Sequence, residues 1–274
     1  MISFNYKTIE QNHFPDNTLL LKINRYLSED GNSIFWYYEN DAELFTIMCI
    51  AGYINDKGLC ASLYMPYIPH ARMDRVKENT EVFTLKYFAE AINNCCFDAV
   101  YVLDPHSYVS EALINRIRHV DVQRFISNSI KNIYEAGCQE DNLLLFYPDE
   151  GSMKRYSGMI SKPYAFGIKN RDWKTGNILG LSVEGDIEAI KGKTILIVDD
   201  ICSRGGTFYH SAKKLKELGA NKIYLYVTHC ENTILDGELL NSGLIERVFT
   251  TDSIFTKEHE MINVMEVYEG GRYE

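Results

Sequence analysis

Short apolar runs rich in β-branched and aromatic residues alternate along this chain with longer stretches whose apolar residues recur every three or four positions. The first kind reads as strand and the second as helix. Strands are expected at 34–37, 60–65, 99–103, 143–147, 195–198, 223–227 and 248–250. Helices are expected at 41–53 and 81–93, the second with Val82, Leu85, Phe88, Ala89 and Ile92 on one face. A further helix follows Gly206, where Phe208, Ala212, Leu215 and Leu218 keep helical spacing. Such alternation implies an α/β protein of mainly parallel sheets flanked by helices. Several strands end in polar residues, among them His106, Asp149, Asp199, Asp200 and His229. In open α/β sheets, ligands bind beyond the carboxyl ends of the strands. The polar stretch 136–142 divides the chain into expected lobes 1–137 and 138–274.

Composition narrows the function classes. The chain has 274 residues, 46% hydrophobic, enough for a substantial core, and a formal net charge of −10. That charge argues against a general binder of nucleic acid or membrane surfaces. No apolar stretch approaches the roughly 18 residues of a membrane helix. The first residues lack the order of a signal peptide. The seven cysteines show no paired spacing and read as reduced, mostly buried thiols of a cytoplasmic protein. Cys202 reads either as an oxidation-sensitive thiol or as packing.

The most informative segment runs from Thr194 to Thr207, TILIVDDICSRGGT. A buried strand ends in Asp199 and Asp200, a tight loop follows, and a helix begins. The loop's N–H groups and the helix start can cradle a phosphate. The paired acids can hold ribose hydroxyls or a metal. This segment resembles the phosphoribosyl-diphosphate loop of the type I phosphoribosyltransferases. Pro66-Tyr67 with Ala71-Arg72-Met73-Asp74-Arg75 resembles a region of the ribose-phosphate pyrophosphokinases, which contain two phosphoribosyltransferase-like lobes. Asp104-Pro105-His106, Pro148-Asp149 with Arg155, Lys169-Asn170-Arg171 and Thr228-His229 follow in that family's order. The resemblance covers about 40–229.

The resemblance implies transfer of the β,γ-diphosphate of Mg-ATP to the C1 hydroxyl of a 5-phosphorylated ribose, with release of AMP. It implies that Lys169 and Arg171 close over the transferring group from a mobile loop, with Trp173 and Gly176 in its lid. His106 and Asp149 would organise Mg²⁺. Arg72, Asp74 and Arg75 would hold ATP, joined by Tyr38, Asp41 and Glu43 as the adenine loop lent by a neighbouring subunit. The family writes that loop Phe-x-Asp-Gly-Glu. Asp199, Asp200, Ser203, Arg204, Gly205, Gly206 and Thr207 would bind the ribose phosphate. A homodimer or higher oligomer is therefore expected.

The phosphate loop departs from the family's Asp-Asp-x-x-Asp-Thr-Gly-Gly-Thr. Ser203 replaces an acid and Arg204 a Thr, making the pocket about two charges more positive. A guanidinium grips phosphate through two parallel hydrogen bonds. The acceptor is therefore ribose 5-phosphate, the family default, or ADP-ribose, which some virus-encoded, NAD-rebuilding members use. Alternatives are a phosphoribosyltransferase that consumes the activated sugar and a non-catalytic regulatory homologue.

Overall fold

The computed structural model describes the chain apart from residues 24–25, 172–177, 186 and 269–274; at 169–171 and 178–181 it describes backbone only. Two compact units divide it, Met1–Asp121 with Glu266–Glu274, and Val122–Met265.

The first unit holds β1 (Ile2–Phe4), β2 (Lys7–Thr8), β3 (Asn12–His13), β4 (Leu19–Leu20), β5 (Asn32–Trp36), α1 (Ala42–Asp56), β6 (Ala61–Tyr64), α2 (Thr84–Asn94), β7 (Ala99–Leu103), α3 (Tyr108–Leu113) and β8 (Ile117–Val120). Its main sheet has the order β2-β1-β5-β6-β7-β8, with β5 to β8 parallel. Strands β3 and β4 form a separate hairpin. Side chains alternate across a strand, so Ile34 and Trp36 join the core with Ile47, Ile50 and Ile54 of α1 and Leu85, Phe88 and Ile92 of α2. Phe35 faces the other way. There it stacks on Tyr64 (4.7 Å between centroids), which stacks on Tyr101 (4.5 Å). Val82, expected on the buried face of α2, precedes the helix and is exposed. The Glu81 carboxylate accepts the N–H groups of Lys77 and Glu78, closing a loop where the helix was expected to begin.

The second unit holds α4 (Gln123–Glu135), β9 (Leu143–Tyr147), α5 (Glu150–Tyr156), β10 (Tyr164–Arg171), β11 (Ile178–Gly185), β12 (Thr194–Cys202), α6 (Gly206–Glu217), β13 (Lys222–Cys230), β14 (Arg247–Thr251) and β15 (Ile262–Met265). Its sheet order is β11-β10-β9-β12-β13-β14-β15, parallel except for β11. Phe208, Ala212 and Leu215 of α6 share a core with Ile195, Ile197, Ile223 and Leu225. The alternate residues Leu196, Val198, Tyr224 and Tyr226 are equally buried, so both faces are covered, as parallel sheets require. The chain leaves β9 towards β10 on one side and returns through β12 on the other. The β9/β12 pair is thus a topological switch point, where a ligand crevice is expected.

Two expectations need correction. The lobes divide at 121/122 rather than 137/138, because α4 lies against β13 and β14 and its Phe125, Ile126, Ile130 and Ile133 are buried. The stretch 136–142 therefore lies inside the second unit, and 266–268 returns to the first. Strands β12 and β13 also run past their apolar cores, with Ile201 opposite His229 and Cys202 opposite Cys230. The paired acids thus lie within β12 rather than after it. Among the described residues, no helix is long and apolar enough to cross a membrane.

Candidate active site

In the second unit, backbone forms the loop expected to bind a phosphate. Gly205 has φ +78°, a left-handed conformation open to glycine at no steric cost. It stands at the N-cap of α6 and, being glycine, offers no side chain of its own to the first-turn N–H groups. Such a helix start is an anion site by geometry and by dipole. The loop is held from behind. A Cβ on Gly237 would collide with the Arg204 carbonyl, and one on Gly205 would meet Leu239 at 3.1 Å. Arg204 itself is exposed, and Ser203 and Thr207 are half-buried.

The two acids beside this cradle differ. Asp200 is 7% exposed. Its Oδ1 accepts the Ile201 N–H (2.8 Å) and its Oδ2 accepts Arg155 Nη1 (3.1 Å). Asp199 is half-buried and its Oδ1 accepts the Asp200 N–H (3.0 Å). Arg155, which sequence reading matched to the family but left out of the site, is brought there by α5. Asp149 caps that helix, its Oδ1 accepting the Ser152 N–H (3.1 Å) in a reciprocal capping box. His229 is buried, its Nδ1 2.8 Å from Ser253 Oγ. Cys202 and Cys230 are also buried, and their mutual hydrogen bond and then burial push the Cys230 thiol well up. Of the two readings of Cys202, this environment favours packing.

Lys169 and Arg171 stand at the end of strand β10, their backbones opposite Leu181 and Ile178 of β11, rather than in an open loop. Their side chains, with Trp173 and Gly176, lie outside the described residues.

In the first unit, the turn after β6 carries Arg72, exposed, with Asp74 and Arg75, whose Oδ1 and Nε are 3.7 Å apart. His106 is half-buried in the loop after β7, where Asp104 adopts φ +44°. In the expected adenine loop at 38–43, residues 39–42 are exposed and only Glu43 turns inward. Glu43 is 2% exposed. Its Oε1 accepts the Met1 amino group (2.6 Å), and its Oε2 accepts Trp36 Nε1 and the Glu39 N–H (2.9 Å each). The Tyr38 hydroxyl donates to Asp41 Oδ1 (2.8 Å), and burial with this contact pushes the phenol up to about 12. A better match to Phe-x-Asp-Gly-Glu is the β3–β4 tip, Phe14-Pro15-Asp16-Asn17-Thr18. Asn17 takes φ +68° where the pattern has Gly, and Phe14 is 51% exposed. Asp16 accepts the Thr18 hydroxyl and N–H, which lowers its pKa. Strands of two residues carry no periodicity, so only the motif itself could have revealed this tip.

His106 belongs to the first unit and Asp149 to the second. Among the described residues, no group of three or more His, Cys, Asp or Glu side chains gathers for a metal. Magnesium keeps several waters and bridges substrate phosphates through one or two carboxylates. The adjacent Asp199 and Asp200 fit that mode, an ion carried in with the nucleotide, better than a closed protein cage.

A mainly parallel sheet with paired acids beside an uncapped, glycine-started helix defines the second unit as a phosphoribosyltransferase-type fold. A family model for the phosphoribosyl synthetase-associated domain matches residues 177–267. The ribose-phosphate pyrophosphokinase of Thermococcus kodakarensis is 26% identical over 245 residues, covering 88% of this chain and 81% of that protein. That of Nostoc sp. is 31% identical over 195 residues, covering 69% and 56%. That of Chlorobaculum tepidum is 29% identical over 209 residues, covering 74% and 61%. The chain thus spans under two thirds of the last two. A phosphoribosylpyrophosphate synthetase from Mycobacterium smegmatis superposes with TM-score 0.73 at 17% identity, covering 94% of this chain and 85% of that one, which shows the shared fold. Over most of its length the chain is thus similar to the ribose-phosphate pyrophosphokinases, and it shares their phosphoribosyltransferase-type fold.

Proposed function

We propose that this protein transfers the β,γ-diphosphoryl group of ATP to the C1 hydroxyl of a ribose bearing a 5-phosphate. The hydroxyl oxygen bonds to the β-phosphorus, the bond from that phosphorus to the α,β-bridging oxygen breaks, and AMP leaves. The observation that carries this reading is the β12–Gly205–α6 cradle, uncapped and backed by Gly237. It would hold the 5-phosphate on first-turn N–H groups while Asp199 faces the ribose hydroxyls or the nucleotide's magnesium. Arg155 would brace Asp200 and so fix the pair. Lys169 and Arg171 would neutralise charge on the transferring phosphates, the main demand of such chemistry. Arg72 and Arg75 would grip ATP phosphates. Phe14 at the β3–β4 tip would supply the aromatic face for adenine, in the family's manner to a neighbouring subunit.

The acceptor follows from Arg204. The Arg204 carbonyl is pinned against Gly237 and the residue is exposed beside the cradle. It suits a second phosphate linked to the first, and so ADP-ribose over ribose 5-phosphate. The test is AMP formation from Mg-ATP with each acceptor offered separately. No AMP with either acceptor would refute the reaction. Preference for ribose 5-phosphate would refute the role of Arg204 alone. Lys169→Ala and Arg171→Ala should each lower turnover at least about a hundredfold, with stability unchanged, since they act on transition-state charge.

A further inference from the structure

Two locally unfavourable residues of the first unit meet at one contact. Asp41 stands at the N-cap of α1, where an aspartate normally bonds its own helix, yet it makes no capping hydrogen bond. Forgoing a cap costs typically about 1 kcal/mol. His70 has φ +62°, a left-handed conformation that costs a non-glycine residue about 1–3 kcal/mol. Such choices persist when the tertiary structure uses them. Here the Asp41 carboxylate accepts at one oxygen from both residues, with His70 Nε2 at 3.1 Å and the Tyr38 hydroxyl at 2.8 Å. The imidazole also packs 5.6 Å from the Phe88 ring.

His70 opens the turn that presents Arg72. Its carbonyl accepts the Met73 N–H (2.8 Å), and Ala71, between His70 and Arg72, is buried in the core. With Ala71 sunk and His70 held from the side, the backbone at Arg72 has little freedom left. We propose that His70 is a positioning residue: through Asp41 and Tyr38 it clasps the turn after β6 to the start of α1, and so holds Arg72 ready for a nucleoside triphosphate. The proposal rests on the assignment of 72–75 to ATP. It gives Tyr38 and Asp41 a role in holding that turn rather than in touching adenine.

The experiment measures ATP affinity by calorimetry and steady-state KM and kcat for ATP and for the acceptor. It compares the parent with His70→Gly, His70→Gln, Asp41→Ala and the double variant His70→Gly with Asp41→Ala. His70→Gly relieves the backbone conformation and removes the clasp, along with the ring's contact on Phe88. It should weaken ATP binding about three- to tenfold, the factor that one net hydrogen bond supplies. The KM for the acceptor should stay within about twofold of the parent, a difference under 0.5 kcal/mol. His70→Gln keeps an N–H donor and should recover part of the loss. The double variant should be no worse than Asp41→Ala alone, because that change already removes the His70 contact. ATP affinity for His70→Gly equal to the parent's, or additive losses in the double variant, would overturn the clasp. A parent that binds no ATP would overturn the ATP assignment and the clasp with it.

Discussion

At the scale of single residues, identical side chains have different duties. Asp199 and Asp200 are adjacent, but Asp200 is buried against Arg155 whereas Asp199 is half-open. Asp200→Asn should destabilise the protein by about 2–3 kcal/mol, because it weakens a charge-assisted contact and leaves Arg155 under-paired. Asp199→Asn should leave stability within about 0.5 kcal/mol while lowering acceptor kcat/KM by at least about tenfold. Urea melts and kinetics on both variants check the division. Glu43 and Phe14 make a second contrast. Glu43→Gln should lower stability by about 1–3 kcal/mol, since its amide presents a donor to groups that are themselves donors. The KM for ATP should not change. Phe14→Ala, at an exposed tip, should do the reverse, raising that KM with an unchanged melt. A raised KM with an unchanged melt in Glu43→Gln would return the adenine loop to 38–43.

At the scale of elements, the phosphate loop depends on a segment far along the chain. Gly237 lies against the Arg204 carbonyl. Gly237→Ala should therefore shift the loop and cut acceptor affinity more than ATP affinity, as read by calorimetry with each ligand. Equal losses for the two ligands would mean general unfolding. Position in the fold sets thiol reactivity. Cys60 and Cys96 are exposed, whereas Cys95, Cys202 and Cys230 are buried. Burial and then Cys96 push Cys95 up to about 11. In the native protein, Ellman's reagent should titrate Cys60 and Cys96 first, and the buried three only after denaturation. The Asp98 carboxylate raises the Cys60 thiol. Less of it is thiolate near pH 8, so it should react more slowly there than a free cysteine and catch up as pH rises.

At the scale of the whole molecule, each unit has its own core. A fragment of residues 122–265 keeps α4 and should fold cooperatively. A fragment of residues 138–265 loses the helix whose Phe125, Ile126, Ile130 and Ile133 are buried, and should be markedly less stable or aggregate. Circular dichroism with urea melts decides between the two boundaries. If the Phe14 tip serves a neighbour, sedimentation under assay conditions should show a dimer or larger assembly. An active monomer would confine the tip to its own chain.

The local signals were those carried by periodicity and by glycine. The apolar runs at 99–103, 143–147 and 195–198 and the helical spacing after Gly206 specify a parallel α/β architecture, because a buried parallel strand must be apolar on both faces. The order Asp-Asp, Gly-Gly, Thr marked the strand–loop–helix turn that the structure contains, a geometry suited to an anion at the helix start. Other features depended on partners distant in the chain. Arg155 meets Asp200 across 45 positions, His70 meets Asp41 across 29, and Gly237 lies against Arg204 across helix α6 and strand β13. Glu43 looked like a surface acid at a helix start until the fold brought Trp36 and the Met1 amino group onto it. The stretch 136–142 looked like a linker because polarity marks exposure and not domain membership. Only the packing of α4 on β13 and β14 assigned it to the second unit. Sequence determined which elements form and where a glycine-started helix follows paired acids; tertiary packing decided which polar groups are engaged within the protein, since a side chain's partners are fixed only when the chain closes on itself.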